Sequence, residues 1–310
     1  MIPEINIPVV PEIIFPSSKE HWLSLRKQDI TSTEVGALFG ISPYVTLYEL
    51  WHRKSKNIDI EFDTTERMDW GNILEPVIAD EAARRNGWLV SPMKCYMRRP
   101  DVRMGSSFDF SIDVVDDEDV SGILEIKNVD RLVYLQDWTE TEAPLHIEIQ
   151  VQHQLAVSGR KFAYICPLVG GNELHVIRRE RDESVIAVIM KKVTDFWKSV
   201  DDGVEPEPDF TKDCEFIARL HNYSEPEKVI DGTDDLKALA MEYKAVNEAL
   251  KPLEEKKEEL KARILLQICD AEKVLGDGYT VSAGMVGECE IAYTRKAYRS
   301  FMVRFKKEKK

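Results

Sequence analysis

The sequence predicts an α/β fold in which a central mixed sheet is flanked by helices. Stretches with apolar residues at helical spacing alternate along the chain with short runs that have the alternation or the apolar density of strands. The length of 310 residues, with 43% hydrophobic and 32% charged residues, is sufficient for one large domain and a smaller one.

Helices are predicted where a capping residue precedes a periodic apolar stretch. Thr31 followed by Glu34 fits a capping box, so a helix is predicted from Thr31 to near Gly40. Further helices are predicted over residues 46–54, 73–86, 144–158 and from 182 to about 200. Strands are predicted over residues 88–90, 104–115, 123–129, 162–169 and 173–178, with the acidic run at 116–119 as a solvated turn.

The last third of the chain has a different pattern. Prolines at positions 206, 208 and 226 punctuate a connecting segment. Apolar residues then recur at spacings of three and four from Leu236 to Ile264, which predicts a heptad helix that Pro252 bends or splits. Short strands are predicted from Tyr279 to Phe305. The predicted organisation is a main domain at 1–205, a linker at 206–232, and a helical and β extension with a basic tail at 233–310.

Composition disfavours several classes of protein. No run of about 18 apolar residues occurs and the N-terminus lacks a signal pattern, so we expect a protein of the cytoplasm, of the host cell if the chain is phage-encoded, with no membrane partner. The five cysteines lack CxxC spacing, which argues against iron–sulfur, zinc-ribbon and disulfide-framework proteins. The net charge of -14 disfavours nonspecific coating of nucleic acid, so any DNA contact must be local.

The C-terminal tail departs from this acidic balance. From position 291 to the end it holds eight basic residues and one acidic residue. Such a tail binds nucleic acid or an acidic partner, or it only keeps a frayed terminus soluble.

One short constellation predicts chemistry. Glu125 and Lys127 share one face of an apolar strand, with Leu124 and Ile126 on the opposite face, and Asp109 lies on a preceding strand. Buried charges need a partner, and a divalent cation is the usual one. Asp109, Glu125 and the main-chain carbonyl of Ile126 form a suitable oxygen ligand set for Mg²⁺, and Lys127 is placed to orient or help deprotonate the attacking water. The residues therefore predict a metal-dependent nuclease site.

Further motifs occur in a fixed order around this constellation. They are Arg26 with Ile30-Thr31-Ser32-Thr33, Ser42-Pro43-Tyr44, Leu50-Trp51 with Lys54, Gly71 with Leu74-Glu75-Pro76, Gly105 to Asp109, and Gln150-Val151-Gln152. In this order the chain, from about 22 to 159, resembles the lambda exonuclease and YqaJ-type viral recombinase family of the PD-(D/E)XK nuclease superfamily.

Two departures from the family pattern occur near the site. The chain has Phe108-Asp109-Phe110 where the family often has Pro-Asp-Gly, and Asn128-Val129 where Cys-Pro often follows the lysine. Whether Asp113 shares or takes the ligand role of Asp109 stays open at this stage.

The resemblance implies a restriction-endonuclease-like PD-(D/E)XK core and a Mg²⁺-dependent exonuclease, in which Mn²⁺ can substitute. It also implies 5′-to-3′ degradation of linear double-stranded DNA, which leaves 3′ single-stranded overhangs for phage-type homologous recombination. The implied assembly is a homotrimeric ring on double-stranded DNA ends, and the implied partner is a single-strand annealing protein. An endonuclease of the same fold and a non-catalytic recombination adaptor are the alternatives.

The remaining candidate site residues each have a plainer interpretation. Glu75 binds a metal-linked water or a second ion, or it is a surface acid that the dipole of its helix favours. Gln150 holds the nucleophilic water or a phosphate, or it is an ordinary polar helix residue. Arg26 with Thr33 and Thr31 grips the 5′ phosphate at a helix N-terminus, or the threonine segment only caps a helix.

A zinc site is a poorer interpretation of the histidines in the same region. His146, Glu148 and His153 do not have the HExxH spacing, and no further ligand accompanies them.

Overall fold

The computed structural model describes residues 10–56, 65–114, 121–290, 292, 294–295 and 298–304. The acidic run at 116–119, the first nine residues and part of the basic tail, including Lys306 to Lys310, lie outside the described residues. The chain falls into two compact units, Met1–Phe216 and Ile217–Lys310, and each is described by itself. The boundaries predicted at 205 and 232 stay predictions.

Helices flank the sheets of the first unit and dominate the second. A short 3-10 helix covers Val35–Phe39. The α-helices of the described residues are α1 (Lys19–Gln28), α2 (Leu47–Ser55), α3 (Glu66–Asn86), α4 (Arg131–Asp137), α5 (Leu145–Ser158), α6 (Glu183–Asp201), α7 (Cys214–Leu220) and α8 (Asp234–Ile268).

The strands of the described residues form three sheets. They are β1 (Glu12–Ile14), β2 (Ile30–Thr31), β3 (Trp88–Pro92), β4 (Tyr96–Arg99), β5 (Met104–Ser107), β6 (Phe110–Val114), β7 (Ser121–Val129), β8 (Phe162–Val169), β9 (Glu173–Leu174), β10 (Ile177–Glu180), β11 (Lys273–Gly276) and β12 (Tyr279–Ser282).

The central sheet of the first unit has the strand order β10-β8-β7-β6-β3, with β9 also paired to β8. Strands β7 and β8 are parallel and in a register that places Glu125 opposite Ile165, while the other pairs of this sheet are antiparallel. Parallel neighbours need a crossover connection, and α5 lies in the segment that joins β7 to β8. The predicted mixed α/β class with a central mixed sheet is therefore confirmed.

The two faces of β7 are buried against different helices. Leu124 and Ile126 belong to a core cluster with Ile78 of α3. Ile123 belongs to the larger cluster that includes Val151 of α5 together with residues of α6. Because side chains alternate along a strand, Glu125 and Lys127 share the face of Ile123, on which α5 lies. The predicted assignment of Leu124 and Ile126 to the opposite face is confirmed.

A second sheet has the order β1-β4-β5-β2, and its Met97 and Met104 belong to the same core cluster as Ile123 of the central sheet. Its β5 passes so close to Tyr96 that a Cβ at Gly105 would lie 2.0 Å from the Tyr96 hydroxyl and 2.7 Å from a carboxylate oxygen of Asp29. Only glycine fits there, since neither buried neighbour has room to move. The single strand predicted over 104–115 is wrong, because the chain leaves one sheet after Ser107 and enters the other at Phe110.

The first helical segments also differ from their prediction. The segment from Thr31 to Gly40 contains a five-residue 3-10 helix instead of an α-helix, and Gly40 ends it in the left-handed conformation with φ 69°. The carboxylate of Glu34 still reaches back to Thr31, where it accepts from the backbone N–H at 3.0 Å and from the hydroxyl at 2.8 Å. Helix α3 begins seven residues before the predicted start, with Thr65 as its N-cap, and continues past Pro76.

The longest element of the described part of the second unit is α8. This helix is continuous over 35 residues with Pro252 inside it, and the Thr233 hydroxyl caps its first turn by accepting from the N–H of Leu236 at 3.1 Å. The predicted run of strands to Phe305 is only partly found, since the described residues after Ser282 form no strand and Phe305 lies outside them. In the part of the chain that the structure describes, no helix combines the length and the apolar character needed to cross a membrane.

Candidate active site

One cavity in the first unit gathers most of the predicted site residues. It has a volume of about 280 Å³ and lies where α3, β7 and α5 meet the loop before β6 and the end of α1. Its lining residues are Arg26, Ser32, Thr33, Gly71, Asn72, Glu75, Ser107, Asp109, Glu125, Ile126, Lys127, Asn128, Gln150 and Gln154.

Glu125 is the buried centre of this cavity. Both of its carboxylate oxygens accept hydrogen bonds from α5: Oε1 accepts from Gln150 Nε2 at 2.6 Å, and Oε2 accepts from Gln154 Nε2 at 2.7 Å. The two glutamines lie one helical turn apart and so face the same direction. Gln150 thus holds the carboxylate of Glu125 in this structure, whereas the sequence predicted a contact with water or phosphate.

Asp109 lies between β5 and β6 and is half-buried. Its Oδ2 accepts a hydrogen bond from the backbone N–H of Ile126 at 2.8 Å, which fixes the carboxyl group beside β7. Burial, and after it the charge of Glu125, raises the pKa of Asp109 well above its usual range. The prediction gave Ile126 a role through its carbonyl; here its N–H positions Asp109, and the residue lines the cavity.

Lys127 completes the central group of charges. Its ammonium donates to Oε1 of Glu125. Burial disfavours the charged ammonium, but the carboxylates of Glu125 and Asp109 outweigh this effect and raise the pKa of Lys127. The amine predicted to act on the attacking water is therefore an ion-pair partner of Glu125 in this structure.

Glu75 approaches the same group from α3. The side chain is half-buried, and burial followed by the charge of Glu125 raises its pKa. Gly71 and Asn72, about one turn earlier on α3, line the cavity beside it. Because α3 begins at Glu66, earlier than predicted, Glu75 lies in the middle of the helix and not in its first turn. Its side chain lines the cavity, so it is not an ordinary surface acid at a helix N-terminus.

The predicted phosphate-binding residues divide into two groups. Arg26 donates to the Thr33 hydroxyl at 3.2 Å, and both residues line the cavity. Arg26 also lies 4.6 Å above the ring of Trp22, which restricts the guanidinium further. Thr31 does not line the cavity: it is buried, and its hydroxyl donates to Glu34 and lies 3.3 Å from the guanidinium of Arg26. Thr31 is thus placed behind the pocket and supports it.

The alternative acid, Asp113, lies outside the cavity. It is an exposed residue of β6, paired with Leu89 on one side and Ser121 on the other. The alternative zinc residues also separate, since Glu148 binds Arg179 and the buried ring of His153 contacts the carbonyl of Ile30 at 3.1 Å.

Several lining residues were missed as candidates from the sequence. Ser32 and Ser107 lie within the named motifs but were not singled out as site residues, and Ser32 accepts a hydrogen bond from Ser106 at 2.9 Å. Asn128 follows Lys127, and Asn72 precedes Glu75 by three residues, the spacing that puts two side chains on one helix face. That spacing was the available signal for Asn72.

The donor set fits one divalent cation of the Mg²⁺ type. No three acidic, histidine or cysteine side chains of the described residues form a metal-binding group by themselves. Mg²⁺, however, is held by one or two carboxylates and completes its shell with waters or substrate phosphates. Asp109 and Glu125 supply two carboxylates. Burial, and after it the charge of Glu125, raises the pKa of Asp109, and a cation would neutralise that neighbouring charge.

Comparison with known proteins identifies relatives of this chain. Residues 21–161 match the family model described as a YqaJ-like viral recombinase domain. The chain is 29% identical over 261 residues to the uncharacterized protein YqaJ of Bacillus subtilis strain 168. The aligned region covers 82% of this chain and 80% of that protein. An alkaline exonuclease from Laribacter hongkongensis superposes with a TM-score of 0.49 and 20% identity over 65% of this chain and 99% of its own. For a phage-related exonuclease from Haemophilus somnus 129PT the TM-score is 0.43, with 12% identity over 57% and 95% of the two chains.

Proposed function

We propose that this chain is a Mg²⁺-dependent exonuclease that degrades linear double-stranded DNA from the 5′ end. The match of residues 21–161 to the family model described as a YqaJ-like viral recombinase domain supports this proposal. The observation that carries the proposal is one cavity lined both by a cluster of acids with a lysine and by an arginine with a threonine. Asp109, Glu125 and Lys127 are suited to phosphodiester hydrolysis, while Arg26 and Thr33 are suited to a terminal phosphate.

Each protein group has a defined task in this proposal. Asp109 and Glu125 would hold the Mg²⁺ ion, for which Mn²⁺ can substitute, and the ion would supply a nucleophilic water and neutralise charge at the scissile phosphate. Gln150 and Gln154 fix the rotamer of Glu125. Lys127 orients the attacking water and compensates negative charge on the phosphate.

The proposed direction of degradation rests on the resemblance to the lambda exonuclease and YqaJ-type family, and the pair of Arg26 and Thr33 supports a preference for DNA ends. A guanidinium and a hydroxyl form charge-assisted hydrogen bonds with a terminal phosphate, which carries more negative charge than an internal one. Arg26 and Thr33 would therefore favour a 5′-phosphorylated end over internal positions. The proposed product is a duplex with a 3′ single-stranded overhang, on which a single-strand annealing protein can load, and the proposed assembly is a homotrimeric ring that retains DNA between cuts.

The deciding experiment is digestion of linear duplex labelled at either end, with and without Mg²⁺. We expect loss of the 5′ label first, dependence on the cation, and no cutting of covalently closed circles. Asp109→Asn removes one ligand charge and should abolish degradation, whereas Asp113→Asn removes an acid outside the cavity and should retain it. Equal loss in both variants would contradict the assignment of the site.

The two alternatives predict different results in the same experiment. Cleavage of covalently closed DNA would favour an endonuclease of this fold. Unchanged degradation by a pure Lys127→Ala variant would remove the proposed site, and absence of degradation under all conditions would favour a non-catalytic recombination adaptor.

A further inference from the structure

A second cavity of about 220 Å³ lies next to the first and shares four lining residues with it. The shared residues are Ser32, Thr33, Lys127 and Gln150. The residues that line only the second cavity are Gly36, Ser42, Tyr44, His146 and Ile147. The two cavities thus differ in chemistry, since carboxylates line the first and aromatic rings line the second.

The aromatic part of the second cavity has a firm backbone and an accessible ring. The hydroxyl of Ser42 accepts hydrogen bonds from the N–H groups of Tyr44 and Val45, both at 3.2 Å. The Tyr44 side chain is nevertheless 78% exposed, so the ring is accessible to a ligand. It meets His146 edge to face, with ring centroids 6.1 Å apart.

His146 offers the other side of this cavity in its neutral form. Burial, and after it the charge of Lys127, lowers the pKa of His146. A neutral imidazole can donate or accept a hydrogen bond and does not repel the nearby ammonium. Tyr44 and His146 together therefore form an uncharged aromatic surface beside a strongly charged site.

The position of this surface relative to the proposed substrate follows from the shared residues. Thr33 contacts Arg26, where the terminal phosphate would bind, and Lys127 contacts Glu125, where the scissile phosphate would bind. In removal of a mononucleotide, exactly one nucleoside lies between those two phosphates. The second cavity is lined by both Thr33 and Lys127, so it borders the space that this nucleoside must occupy.

We propose that the second cavity binds the base of the 5′-terminal nucleotide, stacked against Tyr44 with His146 at its edge. This inference rests on the proposed exonuclease function. Every base presents a π-face, so stacking on Tyr44 accepts all four bases, as degradation of arbitrary sequence requires. The terminal base is thereby separated from its pairing partner before the bond behind it is cut.

The test compares two linear duplexes that both carry a 5′ phosphate, one with a normal terminal nucleotide and one with an abasic terminal residue. For the wild-type protein we expect kcat/KM to fall roughly 5- to 150-fold on the abasic end, the range of one base–aromatic stack. Tyr44→Ala should show a similar loss on the normal end and little further loss on the abasic end, while Tyr44→Phe keeps the stack and the rate.

Two further variants separate the base site from general damage. Gly36→Ala adds a methyl group 3.5 Å from Ser42 and 3.6 Å from His146, an ordinary contact distance, so it narrows the second cavity without a clash. It should weaken degradation of the normal end more than of the abasic end. Tyr223→Ala removes a tyrosine of similar exposure, 74%, that lies outside both cavities, and should leave both rates unchanged.

A binding measurement with Ca²⁺ in place of Mg²⁺ separates the proposal from catalysis, since Ca²⁺ takes the same oxygen ligands but lacks the strict octahedral geometry of Mg²⁺. The fluorescence of a 2-aminopurine at the 5′ end should be lower when the duplex is bound to the wild-type protein than when it is bound to Tyr44→Ala. Equal rates on both ends, with no effect of Tyr44→Ala and with normal duplex degraded, would overturn the base site alone. Absence of degradation of any linear duplex by the wild-type protein would instead overturn the proposed function, and the base site with it.

Discussion

Lys54 does not line the cavity, and its ammonium holds together buried groups of the first unit. Its ammonium is 4% exposed and donates to the carbonyls of Arg26 at 2.7 Å and Asp29 at 2.8 Å, and to Oε2 of Glu34 at 2.9 Å. These three contacts join the end of α1 to the turn that follows β2. Burial lowers the pKa of Lys54 although Glu34 opposes this effect.

The perturbation we consider is Lys54→Met, which keeps an unbranched apolar stem and removes the charge. It leaves the carboxylate of Glu34, 14% exposed, without its ammonium partner, and two carbonyls lose a donor. Breaking a buried ion pair by removing one partner costs about 3–5 kcal/mol. For a unit of about 200 residues, each kcal/mol corresponds to about 2–4 °C, so the melting temperature should fall by about 6–20 °C.

Urea unfolding followed by tryptophan fluorescence measures this loss. The double variant Lys54→Met, Glu34→Gln leaves no unpaired buried charge, so it should lose less free energy of unfolding than the two single variants added together. Lys191→Met breaks an exposed pair with Asp195 and should stay within about 0.5 kcal/mol of the wild type. A loss below about 1 kcal/mol for Lys54→Met, or additive single losses, would refute the reasoning.

Three further predictions concern the charges of the site and its support. Asp109→Asn should raise the melting temperature measured without divalent cation, because it removes a half-buried acid whose pKa burial and Glu125 raise. Gln154→Leu should raise the Mg²⁺ concentration for half-maximal degradation about 10- to 100-fold, the usual cost of losing a group that orients a ligand. Burial raises the pKa of Glu34, but the positive charges of Lys54 and Arg26 outweigh this effect and lower the pKa to about 2. The stability that ionised Glu34 contributes should therefore be complete above pH 4.5, its pKa in the unfolded chain, and should disappear as the pH falls towards 2. The Glu34→Gln variant should not show this loss when its unfolding is measured as a function of pH.

The parts of the site that depend on local periodicity could be predicted from the sequence. Alternation along β7 placed Glu125 and Lys127 on one face and Leu124 and Ile126 on the other, as the core clusters show. A helix that begins after Pro144 and ends before a glycine likewise follows from local signals. These features need only the geometry of one strand or one helix.

The parts that depend on distant contacts could not be predicted. The segment around Asp109 has the sequence of one long strand, yet the chain changes sheets there, and the carboxyl of Asp109 accepts a hydrogen bond from an N–H group 17 residues away. The helix predicted from Thr31 shrinks to a 3-10 turn, where the carboxylate of Glu34 also binds Lys54, 20 residues away. In both cases a tertiary contact overrides the local preference, and no local pattern records that contact.

The charges that line the first cavity suggest the order in which its ligands bind. Its ionisable side chains are two cations, Arg26 and Lys127, and three acids, Glu75, Asp109 and Glu125, so with all of them ionised the cavity carries one net negative charge. A phosphate would be repelled by this charge, and after burial the charge of Glu125 is the second cause that raises the pKa of Asp109. A divalent cation reverses the sign to one net positive charge, which attracts the DNA backbone. On an acidic chain of net charge -14, DNA ends should therefore bind tightly only after the cation, and each ligand should raise the affinity for the other.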